Sequence, residues 1–137
     1  MKKNSAILVI PSFDFTILNS VEGQRTRSAG YYLYYPPLGL CSIAATLQAG
    51  GFGVSIFDGQ FERNWPGCLL RKVEEESPAL VGILTTTPAL PVVKHLVSEL
   101  RALRERTGAE FKIAAGGPHI SCDPEIIPEL GADFGVI

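Results

Sequence analysis

Five short runs of aliphatic residues, separated by segments of helical period, form the main pattern in this sequence. The runs are residues 5–10, 54–57, 80–84, 111–115 and 134–137. None alternates cleanly between polar and apolar positions, and continuous apolar runs of this length are typical of parallel strands buried on both faces. The pattern therefore predicts five parallel strands.

Four helices are predicted between these strands from apolar residues spaced three or four apart. The first covers residues 38–47 and the second covers 66–76. The third has the strongest period, over residues 92–103, and ends before a glycine. A short fourth helix is predicted over 124–130, with Asp123 as its N-cap.

Strands that alternate with helices predict an α/β fold in which one doubly wound parallel sheet lies between two helical layers, because parallel neighbours need right-handed crossovers. Two strand orders are common for this pattern: flavodoxin-like 2-1-3-4-5 and Rossmann-type 3-2-1-4-5. We favour the flavodoxin-like order for this five-stranded, three-layer (α/β/α) domain, since the pattern stops after five strands. All 137 residues are assigned to one domain. In either order a ligand binds at the carboxyl ends of the strands, near the point where strand order reverses.

Composition narrows the class of protein. Hydrophobic residues make up 46% and charged residues 19%, a balance typical of a folded chain. The formal charge of −2 leaves no basic field for a phosphate backbone, so nucleic acid is not expected as a partner. No apolar run approaches the ~20 residues that span a bilayer, so we expect a cytoplasmic chain. Three widely spaced cysteines fit reduced thiols better than a disulfide framework or a metal site.

A long connection, residues 11–37, follows the first strand and contains all four tyrosines of the chain. Loops of this length are usually functional or disordered. Densely placed tyrosines suit a surface that closes over a flat ligand or a partner domain. They equally suit a cap on the edge of the domain's own core, and the sequence leaves both interpretations open.

Two further loops carry polar or backbone groups to the carboxyl edge of the predicted sheet. The third strand runs into Thr85-Thr86-Thr87, and the fourth runs into Gly116-Gly117-Pro118-His119. Glycines at a strand end allow a ligand to approach the backbone closely, and the hydroxyls can bind a polar ligand. Helix capping would account for one threonine, and turns commonly use Gly-Gly. We expect the loops to meet in a slot between the third and fourth strand ends, with His119 as a candidate ligand residue and His95 as a surface residue.

Several self-sufficient chemistries are excluded by missing motifs. Asp58 ends the second strand as the ribose-binding acid of a dinucleotide fold would, but no Gly-x-Gly-x-x-Gly follows the first strand. Phosphate-loop, nucleophile-elbow and His-Glu-x-x-His motifs are also missing. We therefore assign no catalytic residue and no metal ligand, and expect a binding domain.

Taken together and in order, the motifs resemble one family. They are Pro36-Pro37-Leu38-Gly39-Leu40, Ala49-Gly50-Gly51-Phe52, Ile56-Phe57-Asp58, Gly116-Gly117-Pro118-His119 and Gly131-Ala132-Asp133. This set is similar to the N-terminal cobalamin-binding domain of cobalamin-dependent radical S-adenosylmethionine enzymes, and the similarity extends over essentially the whole chain. The resemblance implies a flavodoxin-like fold with cobalamin held over the carboxyl edge of the sheet, its nucleotide tail lowered into the domain.

Carried over to this sequence, the resemblance implies a set of loop residues that line the cofactor. They are Pro11, Ser12, Phe13, Pro37, Leu38, Gly39, Thr85, Thr86, Thr87, Gly116, Gly117, Pro118 and His119. The Asp-x-His-x-x-Gly loop that supplies a lower histidine ligand in other cobalamin proteins is absent, which leaves the lower ligand of the cobalt open.

The sequence also lacks the Cys-x-x-x-Cys-x-x-Cys motif that holds the [4Fe-4S] cluster and thereby S-adenosylmethionine. The resemblance therefore implies that the chain is truncated, and that a downstream radical domain of the parent enzyme binds both groups. The parent would transfer a methyl group or perform another radical reaction. Two alternatives remain: a non-catalytic flavodoxin-like interaction module without cofactor, and a flavin- or nucleotide-binding domain.

Overall fold

The strands of this protein form one parallel sheet in a computed structural model that describes residues 4–12, 37–60 and 64–137. The strands are β1 (Ser5–Ile10), β2 (Gly53–Asp58), β3 (Leu80–Leu84), β4 (Lys112–Gly116) and β5 (Phe134–Val136). Their spatial order is β2-β1-β3-β4-β5. The predicted α/β class and the flavodoxin-like strand order are confirmed, and every predicted strand lies within one residue of its observed bounds.

The helices of the described residues cover the sheet unevenly. They are α1 (Leu38–Ala49), α2 (Trp65–Glu76), α3 (Leu90–Thr107), α4 (Pro118–Cys122) and α5 (Ile126–Leu130). Leu40 and Ala44 of α1 pack on one face of the sheet, against Leu8 and Ile10 of β1. Buried residues of the other four helices form a larger cluster on the opposite face. The connection from β1 to β2 moves in one direction across the sheet, and the connections from β2 to β5 move in the opposite direction. Right-handed crossovers in opposite directions place their helices on opposite faces, which explains this division.

The predicted fourth helix is wrong in its start and in its cap. Two helices of five residues each, α4 and α5, occupy this part of the chain, and no side-chain hydrogen bond from Asp123 caps the second one. Residue 125 holds the N-cap position instead. Helices this short contain less than two turns, too few residues for an apolar period to show in the sequence.

No helix of the described ranges is both long and apolar enough to cross a membrane. Cys41 and Cys122 are exposed, Cys68 is half-buried, and none is in a disulfide.

An ion pair fixes the start of β5 at the amino edge of the sheet. The Asp133 carboxylate accepts hydrogen bonds from the Ile113 backbone N–H and from Arg104 Nη1, each at 2.7 Å. Arg104 also donates to the Phe111 carbonyl at 3.2 Å. Burial raises the pKa of the Asp133 carboxyl, but the bonds from Ile113 and Arg104 outweigh it and hold that pKa below its ordinary value. Asp133 thus ties β5 to β4 and to α3.

Replacing Asp133 by Asn should destabilise the fold at neutral pH by about 1 kcal/mol, because charge-assisted hydrogen bonds of a partly exposed pair are lost. A carboxyl whose pKa is lowered by folding stabilises the protein above its unfolded pKa of about 3.9, and this contribution fades as the pH falls through the folded pKa. Urea unfolding at pH 7 and at acid pH should therefore show a gap between wild type and Asp133→Asn that narrows in acid.

The matched control for this prediction is Glu74→Gln, which removes a longer and more exposed pair with Arg106 at 3.6 Å. Its free energy of unfolding should change by no more than about 0.5 kcal/mol. Equal effects of the two variants would contradict the role assigned to Asp133.

Candidate functional site

The loops singled out in the sequence follow strands that end side by side. Ile10 of β1 is in register with Asp58 of β2, and Leu84 of β3 is in register with Gly116 of β4. The residues after these positions therefore share the carboxyl edge of the sheet. Pro37, directly before α1, lies near the same edge, because α1 returns the chain from there to the start of β2.

The loop after β3 and the loop after β4 are joined by direct backbone hydrogen bonds. The Thr85 N–H donates to the Gly116 carbonyl at 2.6 Å, and the Thr85 carbonyl accepts from the His119 N–H at 3.2 Å. The Thr85 side chain is fully buried, and its hydroxyl lies 3.4 Å from the Ile83 carbonyl. Thr85 is thus part of the join between the strands, while Thr86 is half-buried and Thr87 is exposed.

Gly117 lies in close contact with the end of β3 and with Thr85. Its φ of +107° and ψ of −176° lie in a region that essentially only glycine occupies. A Cβ atom there would lie 2.8 Å from Leu84 Cδ1 and 2.9 Å from the Thr85 carbonyl oxygen. The prediction of a slot between the third and fourth strand ends is therefore wrong at this position, since atoms of Leu84 and Thr85 occupy the space. Thr87 and Pro118 of the two loops remain exposed.

A side-chain hydrogen bond also connects the two loops. Thr87 Oγ1 and His119 Nδ1 are 3.0 Å apart. The other ring nitrogen, Nε2, is buried and has no hydrogen-bond partner within the described part of the chain. If the Thr87 hydroxyl donates, Nε2 carries a proton with no acceptor; in the other tautomer it is an unmatched acceptor. Either state leaves one buried polar atom that a bound polar group would satisfy.

The segment that begins α1 presents an open apolar surface at this edge. Pro37 is half-buried and accepts the Cys41 N–H through its carbonyl at 2.9 Å. Leu38 is 75% exposed. A Cβ atom added to Gly39 would meet no atom within 4 Å. These residues can lie against a large ligand without any rearrangement of the helix.

The residues predicted after β1 are divided between the core and the undescribed part of the chain. Pro11 and Ser12 are buried, with Ser12 only 5% exposed. Phe13 lies outside the described residues, as do all four tyrosines. Pro118 is exposed at the start of α4. His95 is exposed on α3, as expected.

One position at this edge was missed by the sequence analysis. Gly59, directly after β2, is buried, and its N–H donates to the Ile10 carbonyl at 2.8 Å. A Cβ atom there would lie 2.8 Å from the Trp65 ring and 2.9 Å from the Ile10 carbonyl oxygen. Glycine at this position lets Trp65, which is 3% exposed, close over the ends of β1 and β2. The sequence signal for this position is a glycine directly after the aspartate that ends a strand, and ordinary turns show the same pair of residues.

A separate groove of about 390 Å³ lies between α3 and α5. Its lining includes the ion pair of Lys94 with Glu129, together with Ser98, Arg101 and Glu105. None of the predicted ligand residues contributes to it. Within the described ranges, no three metal-ligating side chains cluster together.

Five parallel strands in the order 2-1-3-4-5 define a flavodoxin-like fold, in which ligands are generally bound at the carboxyl edge of the sheet. Residues 25–137 match the family model of the B12 binding domain, and the chain therefore belongs to that family. No curated protein matches the chain.

A solved structure is similar to this chain in fold. It is described as a novel cobalamin-binding protein from Desulfitobacterium hafniense DCB-2, with a TM-score of 0.60 and 21% sequence identity. The match covers 98% of this chain and 53% of that protein, so this chain spans about half the length of its structural relative.

Replacing Gly117 by Ala should destabilise the fold by at least about 3 kcal/mol, since both the backbone strain and the contacts with Leu84 and Thr85 oppose a Cβ atom. The matched control is Gly39→Ala, where the space is open and alanine favours the helix. There the free energy of unfolding should stay the same or rise by up to about 1 kcal/mol. Urea unfolding of both variants tests this assignment, and similar values for the two would contradict it.

Proposed function

We propose that this chain holds a cobalamin at the carboxyl edge of its sheet, over the loops that follow β1, β3 and β4. Membership of the B12-binding domain family is the observation that carries the proposal. Backbone hydrogen bonds join the loop of Thr85 to the loop of His119. They support the location, because they bring two of the predicted ligand loops together.

The chemistry of the accessible groups fits a corrinoid. A cobalamin presents amide side chains, a flat ring and a nucleotide tail with one phosphate, so it needs hydroxyl and N–H donors and apolar contacts more than charged partners. Thr86 supplies a hydroxyl donor, Thr87 has a hydroxyl that already bonds to His119 Nδ1, and His119 carries the buried nitrogen that lacks a partner among the described residues. Leu38 and Gly39 would contact the ring or its edge without rearrangement.

The bound cofactor would supply cobalt–carbon chemistry, and the chain would supply position and shielding from water. His119 is the single predicted ligand residue with an ionisable side chain; the others are neutral. With Nδ1 held by Thr87, its ring is fixed in orientation and can bind through Nε2 only. The protein's part is thus orientation and exclusion of water rather than acid–base catalysis.

For the parent protein we propose a cobalamin-dependent radical S-adenosylmethionine enzyme, possessing a methyltransferase or another radical activity. The order and spacing of the Pro-Leu-Gly, Ile-Phe-Asp and Gly-Gly-Pro-His motifs support this finer assignment. S-Adenosylmethionine and a [4Fe-4S] cluster would bind to a downstream radical domain. A longer protein that contains this domain should therefore carry a Cys-x-x-x-Cys-x-x-Cys motif, and a full sequence without it would refute the assignment.

The binding proposal is tested by incubating the chain with hydroxocobalamin, flavin mononucleotide or a nicotinamide dinucleotide, followed by desalting. A corrin spectrum retained at close to one equivalent is expected with hydroxocobalamin alone. Retained flavin or dinucleotide absorbance would favour the nucleotide-binding alternative. A colourless protein in all three samples would favour an interaction module, for which the exposed Leu38 beside the site offers an apolar contact surface.

Two substitutions locate the cofactor on the chain. Thr86→Val should weaken hydroxocobalamin binding about tenfold, since one hydrogen bond of roughly 1.4 kcal/mol is lost. Gly39→Leu should weaken it at least as much by filling open space beside α1. Equilibrium dialysis measures both, and circular dichroism confirms that the fold is retained.

The matched control is Thr46→Val, at an exposed position of α1 whose hydroxyl donates to the Ser42 carbonyl at 3.0 Å. Its affinity should equal that of the wild type. If Thr86→Val and Gly39→Leu also bind like the wild type, the cofactor does not lie where we place it.

A further inference from the structure

Thr87 and His119 belong to two different loops, yet their side chains meet at the carboxyl edge of the sheet. Thr87 begins a short 3₁₀ turn, Thr87–Ala89, that leads into α3. No side-chain hydrogen bond caps this turn or α3, so helix capping does not account for the Thr87 hydroxyl. Within the described residues this hydroxyl bonds to His119 Nδ1, and it therefore serves the histidine ring.

The backbone of His119 is held on both sides of the ring. Its N–H donates to the Thr85 carbonyl at 3.2 Å, and its carbonyl accepts from the Asp123 N–H at 2.9 Å. The next residue, Ile120, is fully buried. Because the backbone is fixed, the bond to Thr87 sets the orientation of the ring and the position of the buried Nε2 atom, which has no partner among the described residues.

The chemistry of the Nδ1 partner leaves a proton available at Nε2. A carbonyl or carboxylate beside Nδ1 would hold the proton of a neutral ring there, whereas a hydroxyl can donate to Nδ1 and leave the proton on Nε2. Among the described residues, no carboxylate lies within 4 Å of the His119 ring nitrogens. Nε2 is thus a donor in this neutral tautomer and also in the protonated ring.

The backbone of the two loops has already used several of its own donors. The N–H groups of Thr85, His119 and Ser121 are all bonded to carbonyls within these loops. Pro118 has no N–H. A proton on Nε2 therefore adds a donor that these backbone positions do not offer to a ligand.

We propose that Thr87 is a positioning residue for His119: its hydroxyl donates to Nδ1, and Nε2–H then donates to an acceptor oxygen of the bound cofactor. This inference rests on the proposed cobalamin function. A cobalamin offers such oxygens on the amides of its corrin ring and on the phosphate of its nucleotide tail. Thr87 thus contributes to binding through His119 and not through a contact of its own.

The first measurement needs no cofactor. Long-range ¹H–¹⁵N correlation spectra of the full ¹⁵N-labelled chain are recorded at about pH 8, where imidazole rings are ordinarily neutral. His119 should show a protonated Nε2 and an unprotonated Nδ1, and Thr87→Val should change this pattern towards a mixture of tautomers. A ring of the wild type that carries its proton on Nδ1 would overturn the assignment of Nε2 as donor.

The second measurement is the affinity for hydroxocobalamin by equilibrium dialysis. His119→Phe should weaken binding at least about tenfold, since one hydrogen bond is lost. His119→Gln should stay within about threefold of the wild type, because its amide places an N–H near the position of Nε2. Thr87→Val should weaken binding about fivefold and Thr87→Ser should restore it. If His119→Phe fails to fold, the two Thr87 variants carry the test.

A double variant separates positioning from an independent contact. Thr87→Val added to His119→Phe should weaken binding by less than about twofold further, because the residue through which Thr87 acts is already gone. If the two effects multiply instead, Thr87 contacts the ligand by itself and the proposal is wrong. The matched control is His95→Phe, at an exposed position of α3, which should bind like the wild type.

A purely structural bond between the loops gives a different result. Thr87→Val would then lower the free energy of unfolding in urea, while the folded variant would bind hydroxocobalamin as tightly as the wild type. That outcome would overturn the positioning role.

Cobinamide, which lacks the nucleotide tail, identifies the acceptor oxygen. The loss caused by His119→Phe should persist with cobinamide if a corrin amide is the acceptor, and should disappear if the phosphate is. If the wild type retains hydroxocobalamin and every Thr87 and His119 variant binds equally well, this inference fails and the proposed function stands. If the wild type retains none, the proposed function fails, and the proposed role of Thr87 in binding fails with it.

Discussion

The two backbone hydrogen bonds of Thr85, through its N–H and its carbonyl, are the interactions on which the candidate site depends. They attach the end of β3 to the loop after β4, with the Thr85 side chain buried beneath. Only glycine at 117 allows the chains to come this close, because a Cβ atom would collide with Leu84 and with the Thr85 backbone. The loop conformation that presents Thr86, Thr87 and His119 follows from this close contact.

This join divides the predicted ligand residues into two layers. Thr85, Gly117 and Ser12 lie in an inner layer that packs the strand ends together. Thr86, Thr87, Pro118, Leu38 and Gly39 lie in an outer layer that a ligand can reach. The residue types alone do not separate the layers, since neighbouring threonines of one run belong to both.

The strands could be predicted from the sequence, because burial on both faces requires continuous apolar runs such as residues 5–10 and 80–84. The order of the strands followed from counting them. The two layers of the site could not be predicted from the sequence. They depend on the burial of the Thr85 side chain and on the close packing of Gly117 against it, and these two residues are 32 positions apart in the chain. The role of Gly59 was missed for the same reason: its neighbour Trp65 closes over it only in the folded protein.

The position of the candidate site follows from the reversal of strand order at β1. The reversal sends α1 to one face and α3 to the other, so both helices begin at the carboxyl edge but on opposite sides of it. A ligand placed above β1 and β3 therefore lies between two helix starts. Among the described residues predicted to line the ligand, only His119 has an ionisable side chain, so these residues favour the placement of a bound group over chemistry of their own.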